Sequence, residues 1–282
     1  MATDQTRSLL YMPASNARAL EKAHELPCDG VILDLEDSVA PESKPMAREA
    51  AVAAARAGFG RRAVAIRCNG LDTEWGATDL KAAAAAGPDA VLAPKVSSTA
   101  EVHAWDRGLS GAPERTRLWI MIETALGVTE IEQIAETARS TRLAGLVIGP
   151  NDLALDLRLR PSHAREALRP ILVRTVVAAR AHGLRLFGGV FNAIDDEAGL
   201  MAECAEEAGF GFDGKTLIHP RQIAAANTAF SPSAEEIAWA RAVVTAFAAP
   251  EAAGKGAIRL DGRMVERLHL TAAERVLATA GS

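Results

Sequence analysis

Little in this chain suits a nucleic-acid binder or a disulfide scaffold. Aromatic residues make up 4% of the 282 positions, with a single tyrosine, so there is no platform on which bases could stack. Positive charge is not in excess either. The 31 Lys and Arg face 36 Asp and Glu, a net charge of −5, which argues against non-specific nucleic-acid binding as the main task. The three cysteines, Cys28, Cys68 and Cys204, are far apart and form no Cys-x-x-Cys pair. That spacing excludes the usual zinc ribbons and suits reduced, buried thiols. No apolar run approaches the roughly 18 residues of a membrane span. The opening "MATDQTRSLL" has no basic region followed by a long apolar stretch, so no signal peptide is expected and a cytoplasmic location is. Neither a Gly-x-Gly-x-x-Gly turn after the first apolar run nor a Gly-x₄-Gly-Lys-[Ser/Thr] loop occurs, so Rossmann and P-loop sites are not supported.

What is present is alternation. Short apolar runs take turns with Ala-rich helical stretches. The runs cover residues 7–12, 29–35, 62–68, 89–96, 117–123, 143–149, 184–190 and 214–218. The helical stretches between them cover about 16–26, 43–57, 75–86, 98–108, 127–139, 163–182, 195–208 and 219–228. Strands alternating with helices imply a parallel sheet, and near-continuous apolarity implies strands buried on both faces. Eight such units in about 220 residues favour a closed (β/α)₈ TIM barrel over an open sheet. We therefore expect a barrel domain over residues 1–230. Residues 231–282 form an appendage: a helix opening at Ser233 with Glu235 and Glu236 in its first turn, a loop-like stretch with room for two strands, and a closing helix.

In such a barrel, reactive groups sit where strands end. Strand two delivers Asp34, Glu36 and Asp37, strand three Arg67 and Asn69, strand four Lys95, and strand five Glu123. Strand six delivers Asn151 and Asp152, and His219 follows strand eight. Singly, the carboxylates read equally well as helix caps, Lys95 as a solvated loop residue and His219 as a structural histidine before Pro220. As a set they read as an assembled site. The run "LWIMIET" poses the sharpest question, because a buried strand ends there in Glu123. A buried carboxylate needs water, a paired cation or a metal. Two carboxylates from adjacent strands, Glu123 and Asp152, suit Mg²⁺, which keeps open positions for water and substrate oxygens. A Schiff-base aldolase using Lys95 is the competing chemistry.

The segments "RSLLYMPASNARALEKA", "DGVILDLEDSVAPESKPMAR", "IRCNGLDTEW", "LAPKV", "IMIETALG", "GPNDLALDL" and "GKTLIHPRQI" occur in this order. Together they resemble the citrate lyase β-subunit-like proteins and malyl-CoA lyases of the HpcH/HpaI aldolase superfamily. The resemblance implies a Mg²⁺-dependent carbon–carbon lyase or condensing enzyme acting on short 3-hydroxyacyl-CoA thioesters. It also leaves room for a thioester hydrolase, or for a citrate lyase β subunit working on an acyl-carrier-protein thioester. It implies Glu123 and Asp152 as metal ligands that also meet substrate, and Arg67 as the residue polarising the thioester or keto oxygen. Glu36 and Asp37 would support that arginine and the metal waters. Tyr11, Asn16 and Lys22 would contact CoA or substrate, with Asn16 standing where relatives carry arginine. The family's late Gly-x-Met-Val-Asp motif reads "GRMVE" here, which puts Glu266 in the place of the acid/base aspartate that a neighbouring subunit supplies. Gly188 stands where relatives carry another aspartate, and the loop after strand six is short. The resemblance further implies a homo-oligomer, trimer or hexamer, whose C-terminal appendage covers a neighbour's site.

Overall fold

The computed structural model describes residues 6–281. These divide into two compact units, residues 6–230 and the residues from 231 onward. In the first unit eight parallel strands close a barrel in chain order. They are β1 (Ser8–Pro13), β2 (Gly30–Asp34), β3 (Ala63–Arg67), β4 (Ala90–Ala93), β5 (Arg117–Ile122), β6 (Leu143–Ile148), β7 (Arg185–Gly188) and β8 (Gly214–Leu217). The helices between them are α1 (Ala17–Ala23), α2 (Lys44–Ala57), α3 (Gly76–Ala86), α4 (Thr99–Gly108), α5 (Ala125–Thr129), α6 (Ile131–Glu136), α7 (Pro150–Asp156), α8 (Ala164–Ala181), α9 (Glu197–Phe210) and α10 (Ile223–Ala229). All five residues of β2 and of β3 are buried, the apolar ones against core on both faces and the closing Asp34 and Arg67 against each other.

The period of two along each strand sorts the side chains. Leu9, Ile32, Ala65, Leu92, Trp119, Met121, Val147 and Phe187 form one cluster that fills the barrel interior. Their neighbours, such as Leu10, Val31, Leu33, Ile66, Ile120 and Ile148, pack outward against the helices. Each fully buried aliphatic side chain contributes roughly 1.5–3 kcal/mol. Cys28, Cys68 and Cys204 are free thiols in these buried layers.

Two helical stretches differ from the pattern read in the sequence. The segment expected to be one helix over 127–139 is split into α5 and α6 at Glu130. The hydroxyl of Thr129 donates to the Leu126 carbonyl at 2.8 Å, a back-bond that weakens and bends a helix. The stretch after β6, read as a short loop, is the helix α7. Pro150 opens it, with φ already suited to a first helical turn, and Leu153 buries its apolar side.

The second unit pairs α11 (Ala234–Ala248) with α12 (Arg267–Ala280) around a hairpin of β9 (Ala257–Leu260) and β10 (Arg263–Glu266). Ser233 and Glu236 exchange the reciprocal hydrogen bonds of a capping box at 3.1 and 2.8 Å. The hairpin turns on Asp261 and Gly262, both at positive φ, as a two-residue type I′ connection demands. Ala240, Val243, Val265 and Ala273 form this unit's small core.

Candidate active site at the barrel mouth

The interior alternation continues to the C-terminal ends of the strands and sets the next layer. Two residues beyond Leu9, Ile32, Ala65 and Met121 lie Tyr11, Asp34, Arg67 and Glu123. Strand register places Asp34 directly beside Arg67. These four residues, with Asp37, Ser38, Gly149, Pro150, Asn151, Asp152, Asn192 and Thr216 among others, line a cavity of about 270 Å³.

Arg67 is the best-fixed group in it. Its Nε and Nη2 donate to the two oxygens of Asp34 at 2.6 and 2.8 Å, the bidentate geometry in which a guanidinium pairs most strongly. Its Nη1 donates to Asp37 at 3.2 Å and stands 2.9 Å from Glu36 Oε2, an ion-pair contact without a hydrogen bond. The Tyr11 ring lies 4.8 Å from the guanidinium carbon. Burial alone would lift the Asp34 pKa, but Arg67, Ser38 and the Glu36 amide overcome it and hold the carboxyl below its ordinary value. Ser38 donates to Asp34 through its hydroxyl at 2.5 Å and its amide at 3.2 Å. Burial likewise pulls against the Arg67 charge, and the surrounding acids outweigh it, so Arg67 stays protonated.

Glu123 is only 2% exposed. Its Oε1 accepts from the Lys95 amide at 2.7 Å, and no donor reaches Oε2 among the described residues. Gly149 makes that geometry possible, because a Cβ there would clash with Oε2. Burial, and then the Glu36 and Asp152 carboxylates, push the Glu123 pKa up to about 7. Lys95 lies two residues beyond β4, and its ammonium reaches Glu36 at 2.8 Å and Asp152 at 3.7 Å. Burial would lower the Lys95 pKa, but the Glu36 hydrogen bond and the nearby carboxylates raise it overall. An amine paired with these carboxylates is a poorer carbonyl nucleophile than a free one, which favours the metal reading over the Schiff-base alternative. Glu36 itself is raised by burial, with Arg67 and Lys95 pulling it back in part.

This acidic arrangement fits a divalent cation. A buried carboxylate with one undonated oxygen, repelled by two others, is the donor set a hard ion relieves. Among the described residues no group of three His, Cys, Asp or Glu converges on a common metal position. Two protein carboxylates completed by water and substrate oxygens suit Mg²⁺ and not a closed zinc cage. We expect Gly149→Ala to displace the Glu123 carboxylate and, by the usual cost of an ångström-scale misplacement, to lower turnover roughly 100-fold while the fold is kept. Activity assays beside a thermal melt check this; full activity would mean that the Glu123 position is not critical.

Three expected residues of the barrel unit, Asn16, Lys22 and His219, do not line the cavity. Asn16 caps α1, accepting from the Ala19 amide at 3.1 Å, and Lys22 is exposed in that helix's last turn. His219 accepts the Arg221 amide at 3.2 Å and so caps the turn before α10, the structural reading of that residue. Glu266 belongs to the C-terminal unit, where it ends β10 and its amide donates to His269 Nδ1 at 2.9 Å. At Gly188 the space a side chain would take is filled by the Glu207 carboxylate, which pairs with the buried Lys215 at 3.0 Å.

Comparison with known proteins gives the family. The model of the HpcH/HpaI aldolase/citrate lyase family matches residues 7–220. The chain belongs to that family. Among HpcH/HpaI relatives, a (3S)-malyl-CoA thioesterase of Cereibacter sphaeroides is 46% identical over 275 residues, covering 97% of this chain and 94% of the relative. The citrate lyase β subunit of Escherichia coli is 34% identical, over 99% of this chain and 94% of the relative. The crystal structure of CitE from Mycobacterium tuberculosis in complex with magnesium, acetoacetate and coenzyme A superposes with a TM-score of 0.81 at 32% identity, covering 99% of each chain. No helix among the described residues of this HpcH/HpaI chain is long and apolar enough to cross a membrane.

Residue-by-residue reading of the sequence passed over three supports of the site. Asp34, placed among the strand-end groups but given no partner there, is the clamp on Arg67. Lys44 is buried and donates to the Leu35 and Glu36 carbonyls at 2.9 Å each and to Asn69 Oδ1 at 2.6 Å, which pins the exit of β2. Asp79 in turn accepts both the Asn69 amide at 3.1 Å and its side chain at 2.6 Å. The only sequence signal was for Asp34, which shares the inward parity of Ile32.

Proposed function

We propose that this chain is a Mg²⁺-dependent carbon–carbon lyase of short 3-hydroxyacyl-CoA thioesters of the malyl-CoA type. The observation that carries the reading is the opposition, across one cavity, of a clamped arginine and a carboxylate cluster that needs a cation. Glu123 and Asp152 would hold the Mg²⁺, which supplies positive charge to the hydroxyl and carboxylate oxygens of the substrate's far end. Arg67 accepts the other end, donating to the thioester oxygen. In the cleavage the substrate hydroxyl gives up its proton to a base, the C2–C3 bond breaks, and its electron pair moves onto the thioester oxygen. That oxygen becomes an enolate, and Arg67 stabilises it with charge-assisted hydrogen bonds. Protonation at C2 then gives the acyl-CoA product. Glu266, from the C-terminal unit of a neighbouring copy in a homo-oligomer, is the base in this reading. Asp34, Glu36 and Asp37 hold Arg67 in place. Tyr11 supports its face, and Asn16 and Lys22 would contact CoA, as the family resemblance implies.

A second reading is thioester hydrolysis, favoured by the 46% identity to a malyl-CoA thioesterase. There Arg67 would stabilise the oxyanion of attacked thioester instead of an enolate. Product analysis separates the two. Incubation with Mg²⁺ and malyl-CoA is expected to release acetyl-CoA and glyoxylate. Free CoA with intact malate would establish the hydrolase instead. No Mg²⁺-dependent product from malyl-, citramalyl- or citryl-CoA would sink the substrate class.

A further inference from the structure

Lys95 has no part in the chemistry above, yet it meets Glu123, Glu36 and Asp152 of the acidic cluster. Its backbone is left-handed at φ +53°, a conformation that L-residues seldom adopt. That turn lets one residue meet three carboxylates from three strand ends. The amide donates to Glu123 Oε1 at 2.7 Å, while the ammonium donates to Glu36 Oε1 at 2.8 Å and stands 3.7 Å from Asp152 Oδ1. The Lys95 carbonyl is braced in turn by the Ser97 hydroxyl at 3.1 Å. The side chain is 47% exposed, so its charge is felt at the barrel mouth and is not lost in the core. With Arg67 committed to Asp34, Glu36 and Asp37, Lys95 is the cation that stands between Glu36 and Asp152.

We propose that Lys95 is a built-in counter-cation that weakens Mg²⁺ binding to the substrate-free site and strengthens binding of a substrate whose acyl group ends in a carboxylate. The inference rests on the Mg²⁺ reading above. A fixed positive charge beside two candidate ligands opposes a second cation and attracts an anion. The same charge discriminates against acyl groups with a neutral end, so Lys95 is a specificity residue as well as a positioning one. A residue that merely tethers Glu36 and Asp152 would act otherwise: its loss would weaken metal and anion alike. The signs of the two effects therefore separate the roles.

The test is calorimetry on the full chain, first with Mg²⁺ alone and then with free malate at saturating Mg²⁺. Lys95→Met removes the charge and keeps the length; Lys95→Gly removes the charge and relieves the left-handed backbone; Lys95→Arg keeps the charge. Both neutral variants are expected to bind Mg²⁺ about tenfold more tightly and malate about tenfold more weakly, the effect of one unit charge at a half-exposed site. Lys95→Arg should stay near wild type in both. Parallel weakening of both ligands, or no change in either, overturns the counter-cation role while leaving the metal reading intact. A wild-type protein that takes up no Mg²⁺ overturns the metal reading itself, and this inference with it.

Discussion

Glu123→Gln is expected to abolish measurable Mg²⁺ binding and to lower turnover by roughly a thousandfold or more, the loss of several kcal/mol of charge stabilisation. The substitution keeps the shape of the side chain. The new amide oxygen can still accept the Lys95 N–H that now meets Oε1 at 2.7 Å. Only the charge is lost, so the fold should survive. In the absence of metal it should even gain. The Glu123 pKa of about 7 lies above its ordinary 4.5, so the neutral form is the one that the folded protein favours. Stability from this group is fully present below about pH 4.5 and is lost as pH rises through about 7. Metal-free Glu123→Gln should therefore melt above the wild type at alkaline pH and level with it in acid. Calorimetric Mg²⁺ titration and paired melts check both halves. Unchanged Mg²⁺ affinity in the variant would place the metal elsewhere.

Much of this was legible in the residue order, and the reasons are physical. Eight apolar runs of strand length alternating with helical stretches leave few architectures that bury every run on both faces. The period of two then carries further than the strands do. Trp119 and Met121 face inward, and so Glu123 must. The same parity joins Ile32 to Asp34 and turns its carboxylate inward toward Arg67. What stayed illegible depends on contacts between elements. Lys44 lies nine residues from Leu35 and is a typical surface residue type, yet it is buried where three acceptors converge. The left-handed turn at Lys95 runs against the preference of an L-residue, so its own residue type does not announce it. Glu266 is the opposite case. Its place in a motif is plain, but a role on a neighbouring copy is a matter of assembly, which no single chain encodes locally.

Arg67→Ala should cost more stability than any other single change at the barrel mouth, about 3–5 kcal/mol, because it strands a buried charge. Asp34 is 0% exposed, and both its oxygens pair with this guanidinium. Turnover should fall as well, by roughly 10²–10³-fold, the usual cost of losing a preorganised oxyanion partner. Lysine is not a substitute, since a point charge cannot reproduce the two parallel hydrogen bonds to Asp34. The pH dependence identifies the cause. In the wild type Asp34 titrates below its ordinary 3.8, so its contribution is present above that value and is lost as pH falls through the lower, folded one. Without Arg67 the burial that already opposes ionisation prevails, and the folded pKa moves above 3.8. The penalty in Arg67→Ala then grows as pH rises from 3.8 and shrinks on acidification. Denaturant melts at neutral and acid pH should show the deficit narrowing in acid, and the double variant Arg67→Ala/Asp34→Ala should recover part of the neutral-pH loss. A deficit that is independent of pH, or a double variant no more stable than the single one, would show that the stranded Asp34 charge is not the source, and that Arg67 supports the barrel by packing alone.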